Sequence, residues 1–400
     1  MTRVPVKDAK CRKAVYPSHA WQDIPCERAA KHPLPTRDVT VAPLVGGSSG
    51  DFQAQSTNII SSAQGLFGYG SGITNVTSDP TAATSPTAPC STASLPNEYS
   101  IQLNSNQFGT SACSSSSCVG WQQFVFSNSS TGSSVYMQYW LVGYGPHCPS
   151  SWTQRGNNCY RDSDHANGPF QDVSKLADFR LYATAADPNA GGKDSFYVHL
   201  PTGEMIGTTG DASVLGLRAG WNSVEFNVFG NHCSRQASFN AGVNLLAVLT
   251  YIDNTNQPPT CGSGSATGER NSLSLVSPCC ELGGQHQGPG ILFNESNLAG
   301  VTSQCDCPAN STWQPGWPAP QCVCDDPSQV IINGQCQNGC TPSCPDCAEA
   351  ELDDGCGGLC PACNGSCCSG ICCNSGDTCC TDTCCRPPDV CGGPGYCHPG

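Results

Sequence analysis

Three glutamines and one glutamate carry the strongest hint of chemistry in this chain. Gln122, Gln123 and Gln138 sit in stretches that alternate polar and apolar residues, and Glu225 sits in WNSVEFNVFG. Burial raises the pKa of a carboxyl group, and a raised carboxyl can serve as general acid and base toward a water. A glutamine amide beside it can donate to the oxyanion that forms. Glu225, Gln122 and Gln123 are therefore the catalytic candidates. The competing reading makes them hydrogen-bonded or outward polar positions on strands, and the chain as a whole leans away from an enzyme.

A second chemistry is sugar binding. Trp121, Trp140, Trp152, Tyr144 and Tyr160, with Trp221, have Asn, Gln and Asp close by in sequence. An exposed aromatic beside amides makes a mixed apolar and polar site. The same side chains also serve as sandwich core. Metal chemistry has less support. Cys305-x-Cys307, Cys322-x-Cys324 and Cys344-x2-Cys347 have thiolate spacing, yet outside a cell such pairs read as disulfides. The acidic run Glu349, Glu351, Asp353, Asp354 lacks the order of a calcium loop. We assign no metal and no cofactor. The eight histidines are scattered, and neither a nucleophile elbow nor a phosphate-cradling loop is present.

These groups need a scaffold, and the composition describes one. Charged residues make up 12 %, while Gly, Ser, Thr, Asn and Pro are abundant. That is the signature of an extracellular β-rich protein with many turns. The net charge of −14 disfavours nucleic acid and anionic membrane. No run of apolar residues is long enough to span a bilayer, so membrane insertion is not expected. Residues 1–20 lack the apolar core of a signal peptide, so the chain reads as a mature or trimmed form of a secreted protein. The N-x-Ser/Thr sequons at Asn75, Asn128, Asn294, Asn310 and Asn364 are glycosylation candidates.

The organisation has five parts. Residues 1–45 read as an extended, basic, Pro-rich arm, and 46–98 as a Gly/Ser/Thr/Pro-rich linker with a short helix near Ile59 to Phe67. Residues 99–300 read as one β domain. Strands are expected near 99–104, 121–127, 134–144, 178–184, 194–200, 221–229, 243–252, 271–277 and 290–294, with a helix over 170–179. Residues 301–342 resemble a growth-factor-type disulfide module, and 343–400 a cysteine-doublet module. The fold class is mainly β: an antiparallel, jelly-roll-like β-sandwich followed by small disulfide-rich modules.

Cysteine sets the compartment. Of 32 cysteines, 21 follow residue 300, in a segment with few large apolar side chains. Such a segment needs covalent cross-links to fold, which places the protein outside the cell or at its surface. Loop-closing candidates are Cys11 with Cys26, Cys113 with Cys118, and Cys148 with Cys159; spacing leaves the connectivity open. The doublets Cys367-Cys368, Cys372-Cys373, Cys379-Cys380 and Cys384-Cys385 point their sulfurs to opposite sides of extended strands, as stacked short hairpins require.

The motifs YSIQLNSNQF (99–108), GWQQFVFSN (120–128), VYMQYWLVGYG (135–145), AGWNSVEFNVFG (219–230) and ILFNESN (291–297) resemble a family of secreted microbial β-rich proteins of unassigned activity. That resemblance implies a secreted β-sandwich and brings no catalytic residues. The doublet tail is similar to granulins, with shorter gaps. The Gln/Glu pairing is similar in architecture to glutamic peptidases, whose spacing and surrounding motifs this chain does not share.

From the sequence, the leading expectation is a secreted structural or adhesive protein. It would partner itself, assembling into extracellular filaments through an N-terminal arm on a neighbour's sheet edge. The alternatives are a carbohydrate-binding, lectin-like module with a polysaccharide partner, and a glutamic-peptidase-like acid hydrolase.

Overall fold

The computed structural model describes residues 11–15, 20–26, 51–81, 93–231, 233–255, 257–263, 267, 269–282 and 289–301, and short strands between 311 and 398. The chain divides into two compact units. One holds residues 1–307 and 313–321; the other holds 308–312 and 322–400.

The first unit is an antiparallel β-sandwich. One sheet has nine strands in the order β2 (Gln22–Asp23), β1 (Cys11–Val15), β15 (Glu204–Asp211), β14 (Lys193–His199), β13 (Arg180–Thr184), β4 (Ser62–Ser71), β18 (Asn244–Ile252), β22 (Gly290–Ser296), β21 (Ser274–Leu282). The other sheet runs β10 (Thr153–Arg155), β11 (Asn158–Asp162), β9 (Gly132–Val142), β8 (Val119–Ser129), β7 (Tyr99–Ser105), β16 (Ser223–Phe229), β3 (Phe52–Gln55), β19 (Thr260–Ser263). In it, β12 (Ala166–Gly168) also pairs with β9. A small sheet adds β20 (Arg270–Asn271), β17 (Gln236–Phe239), β5 (Val76–Asp79) and β6 (Leu95–Pro96).

Period-two alternation builds the core. Ile101, Leu103, Phe124, Phe126, Val135, Met137, Val224 and Phe226 fall on one face of their strands and are all fully buried. They meet the facing sheet through Phe67–Phe226 at 4.8 Å and Phe124–Phe196 at 5.6 Å between ring centroids. Contact this close leaves no room for a side chain at Gly65, where a Cβ would lie 2.1 Å from the Phe226 ring. Gly65→Ala is expected to cost about 1–3 kcal/mol through overpacking. Calorimetry checks it as a fall in melting temperature of several degrees; an unchanged melt would speak against this sheet-to-sheet contact.

All nine strands expected in the β domain are present within a few residues. The largest departures precede them. Ile59 to Phe67 is not a helix: β4 is a central strand, hydrogen-bonded to β13 on one side and β18 on the other. Its Gly65, Gly68 and Gly70 disfavour a helix, and a short apolar run does not by itself distinguish the two. Nor is 46–98 only a linker, because β3, β4 and β5 take their places in the sandwich and the small sheet. The 170–179 helix is a single 3-10 segment, Val173–Asp178, capped by Asp172 Oδ1 accepting from Ser174 N at 2.8 Å.

The N-terminal arm is also partly structured. Cys11–Val15 pairs with Glu204–Thr208 of its own chain. Arg12 bonds Asp23 at 3.0 Å and Lys13 bonds Glu204 at 2.6 Å. Part of the basic head is thus matched to acids of the same sandwich.

Disulfides join Cys11 to Cys26, Cys113 to Cys118, Cys148 to Cys159 and Cys261 to Cys279. Cys233 is also oxidised, and among the described residues no cysteine is free. Among those residues no helix is long and apolar enough to cross a membrane.

The second unit is described as backbone hairpins. Gln329–Ile332 pairs with Gln335–Asn338, Cys367–Cys368 with Ile371–Cys372, Thr378–Cys380 with Thr383–Cys385, and Val390–Gly393 with Tyr396–His398. Cys367 stands opposite Cys372, Cys379 opposite Cys384, and Cys391 opposite Cys397. The Cys373 position lies outside the described residues, as do the sequons at Asn310 and Asn364.

Candidate functional site

The face of the second sheet that turns away from the other sheet is buried and carries a row of polar side chains between aromatic positions. Strand register aligns one polar side chain per strand at a single level: Asp162 (β11), Gln138 (β9), Gln123 (β8), Asn104 (β7), Glu225 (β16) and Gln53 (β3). Gln138, Gln123 and Asn104 are 0 % exposed and Glu225 1 %. The alternation that sends Phe124 and Phe226 into the core sends Gln123 and Glu225 to the opposite face.

Hydrogen bonds fix this row. Asn104 Nδ2 donates to Glu225 Oε2 at 2.9 Å, and Gln123 Nε2 donates to Gln102 Oε1 at 3.0 Å. The Trp140 indole N–H is shared between Gln123 Oε1 and Gln138 Oε1, both at 3.0 Å. Gln138 Nε2 then donates to Asp162 Oδ1 at 2.7 Å. The Asn104 carbonyl oxygen has no hydrogen-bond partner although it is buried. Such an acceptor is costly unless something donates to it.

A carboxyl cluster adjoins the row. Asn227 Nδ2 donates to Asp51 Oδ2 at 3.0 Å and to Glu295 Oε1 at 2.6 Å, and Asn271 Nδ2 donates to Glu295 Oε2 at 3.0 Å. Burial drives the Asp51 carboxyl well above its ordinary range, and repulsion from Glu225 and Glu295 adds to it. Burial likewise lifts Glu295 to about 7, with Glu225 adding and the two asparagines opposing. Three buried carboxyls in one neighbourhood do not all ionise together, so the cluster stores protons at neutral pH. At the far end of the row, burial lifts Asp162 to about 7 against the bond from Gln138.

The structure separates the three catalytic candidates. Gln123 and Glu225 share the polar face, two strand spacings or roughly 10 Å apart by backbone. Gln122 points the other way, where its Nε2 donates to Asp194 Oδ2 at 3.1 Å between the sheets.

The aromatic candidates do not form a sugar platform. Trp121 and Trp140 are fully buried and Tyr160 nearly so. They pack on one another, Trp121–Trp140 at 6.1 Å and Trp140–Tyr160 at 5.3 Å. The Trp121 N–H is spent on Ser105 O at 2.9 Å, and buried Trp221 donates to Ser223 O at 3.0 Å. Tyr144 and Trp152 are half-buried against the core.

Two sequons fall as well. Asn128 Nδ2 is buried and donates to Asn97 O and Gln171 O, both at 3.0 Å. Asn294 Nδ2 donates to Tyr69 Oη at 2.7 Å and is 2 % exposed. Neither amide nitrogen is free to carry a glycan in the folded chain, whereas Asn75 is exposed.

Sequence reasoning missed Asn104, Asp162, Asp51 and Glu295. The alternation in YSIQLNS places Gln102 and Asn104 on one face, but only register shows that this face is shared with Gln123 and Glu225. Among the described residues no group of three or more His, Cys, Asp or Glu is arranged to hold a metal ion. No protein-family model matches the chain, and no curated protein matches it.

Proposed function

We propose that this protein is a secreted acid hydrolase acting on amide bonds, with Glu225 as general acid and base and Gln123 as oxyanion donor. The observation that carries the reading is the level row across β8, β7 and β16. Asn104 stands between the two groups in the register and is shorter than either, so a carbonyl and a water would sit above it once the buried face opens. One amide hydrogen of Gln123 goes to Gln102; the second remains to meet an oxyanion. Asn104 holds Glu225 by Oε2. An ionised Glu225 takes a proton from the attacking water and returns it to the leaving amine. Asp51 and Glu295 lie near enough for Glu225 to repel their carboxylates.

The face is closed in this form, so cleavage requires it to open. The test is peptide release from an unfolded protein substrate at pH 3–5, by the whole chain before and after limited proteolysis. Release that disappears with Glu225→Gln supports the reading. Absence of release under both conditions removes it.

One observation favours the structural alternative. An N-terminal strand, β1, already lies on the edge of β15, and the same pairing made between molecules yields filaments. Electron microscopy of the native, unreduced protein decides this: ordered fibres that vanish when residues 1–26 are removed support it, and single particles at all concentrations exclude it.

A further inference from the structure

A cleft of about 350 Å³ opens at the rim between the two sheets, lined by residues that include Tyr139, Arg161, Asp164, Lys193, Gly210 and Asp211. Its Tyr139 wall lies on the side of β9 opposite Gln138 and Gln123, while Asp162, at the end of the polar row, also lines it. We infer that this cleft binds a neutral polyhydroxylated ring, the terminal sugar of a glycan. The inference is independent of the hydrolase reading.

The floor is built to present a hydroxyl. Tyr139 is 2 % exposed, and the contact its hydroxyl makes is with the Met137 sulfur at 3.9 Å. Thioether sulfur is a weak acceptor, which leaves the phenol with hydrogen-bonding capacity toward the cleft. Gly210 makes this arrangement possible: a Cβ there would stand 2.0 Å from the Tyr139 oxygen. Any other residue at 210 would displace the phenol or fill the cleft.

The walls carry both signs of charge. Arg161 and Lys193 supply donors and, with the carboxylates, offset one another. Asp211 is held below the ordinary carboxylate range, first by bonds from Ser213 and also by Arg161 and Lys193, so it stays an acceptor in mild acid. A strongly anionic ligand meets Asp164 and Asp211; a strongly cationic one meets Arg161 and Lys193. The lining mixes polar and apolar surface, as a sugar ring does. A sugar ring donates to carboxylates and accepts from guanidinium and ammonium with the same hydroxyls, and the volume is within the range of small-ligand sites.

The test is calorimetric titration of the whole chain with neutral disaccharides (maltose, cellobiose, chitobiose) and with glycylglycine as a zwitterionic probe. Expected is saturable binding of at least one disaccharide. Affinity should fall about tenfold or more in Arg161→Ala, as loss of a charge-assisted hydrogen bond predicts. It should also fall in Tyr139→Phe and be unchanged in Trp152→Ala. Arg161 is exposed, so its variant folds whatever becomes of Tyr139. Three results overturn the inference: no disaccharide binding at tens of millimolar, binding unchanged in Arg161→Ala, or glycylglycine binding with no sugar competing.

Discussion

Glu225→Gln is expected to reduce acid-pH hydrolysis by about 10²–10⁴-fold with the fold intact. The substitution is nearly isosteric, and the new amide keeps an oxygen to accept from Asn104. Only the proton transfer is lost, so kcat falls and KM changes little. Gln123→Ala should lose about 10²–10³-fold, the usual effect of removing an oxyanion donor. Gln122→Ala serves as the control. Its neighbour in sequence faces the polar row, but Gln122 itself bonds Asp194 on the core side, so its loss affects stability and not the chemistry. Peptide release measured across pH 2–7 for the three variants decides the matter. Equal activity of wild type and Glu225→Gln would end the hydrolase reading.

The protein is also expected to be most stable in mild acid. Burial lifts Glu269 to about 8, Glu295 and Asp162 to about 7, and Asp194 to about 6. Each of these binds its proton more tightly folded than unfolded. Stability from such a group is fully present below its ordinary pKa and is lost as pH rises through the folded value. The loss therefore runs from about pH 4 to about pH 8. His165 acts in the opposite sense. Burial lowers it to about 4, so its contribution is present above its ordinary value and lost as pH falls. Asp172, Asp211 and Asp253, held below their ordinary value, also lose stability as pH falls, but only below about pH 4. Between about pH 5 and pH 8 the one imidazole opposes the raised carboxyls, and the balance favours acid. Glu295 alone, lifted from 4.5 to about 7, represents up to about 3 kcal/mol. The melting temperature with disulfides intact should be markedly higher at pH 5 than at pH 8, and Glu295→Gln should flatten the difference. A melt that rises from pH 5 to pH 8 would contradict the buried, protonated cluster.

The sandwich was legible because its strands carry two signals at once. WQQFVF and VYMQYWLV alternate, and bulky or β-branched residues fill the inward positions. The alternation also separates Gln122 from Gln123, but it does not say which one meets Glu225. That depends on β7 lying between β8 and β16, a pairing that joins residues more than a hundred positions apart. Asp51 and Glu295 were out of reach for different reasons. Asp51 sits beside a Gly/Ser-rich stretch that looks like a linker. Glu295 lies inside an apparent glycosylation motif whose asparagine turns out to be occupied by Tyr69. The burial of Trp121 and Trp140 shows the same limit: an aromatic beside amides reads alike whether the amides face solvent or bond its own N–H.

The place of β1 has a consequence for how the molecule is made. Cys11 lies 197 residues before Thr208, its strand partner, so β1 pairs only with the nearby β2 until β15 has emerged. β4 meets β13 at Arg180–Thr184 and then β18 at Asn244–Ile252. Contacts of such separation slow folding and leave sheet edges open to other chains meanwhile. The Cys11–Cys26 bond spans only 15 residues and can close as soon as both thiols reach an oxidising compartment. An early, local cross-link would keep the N-terminal strand folded back on itself during that wait, with less of its edge open to another chain.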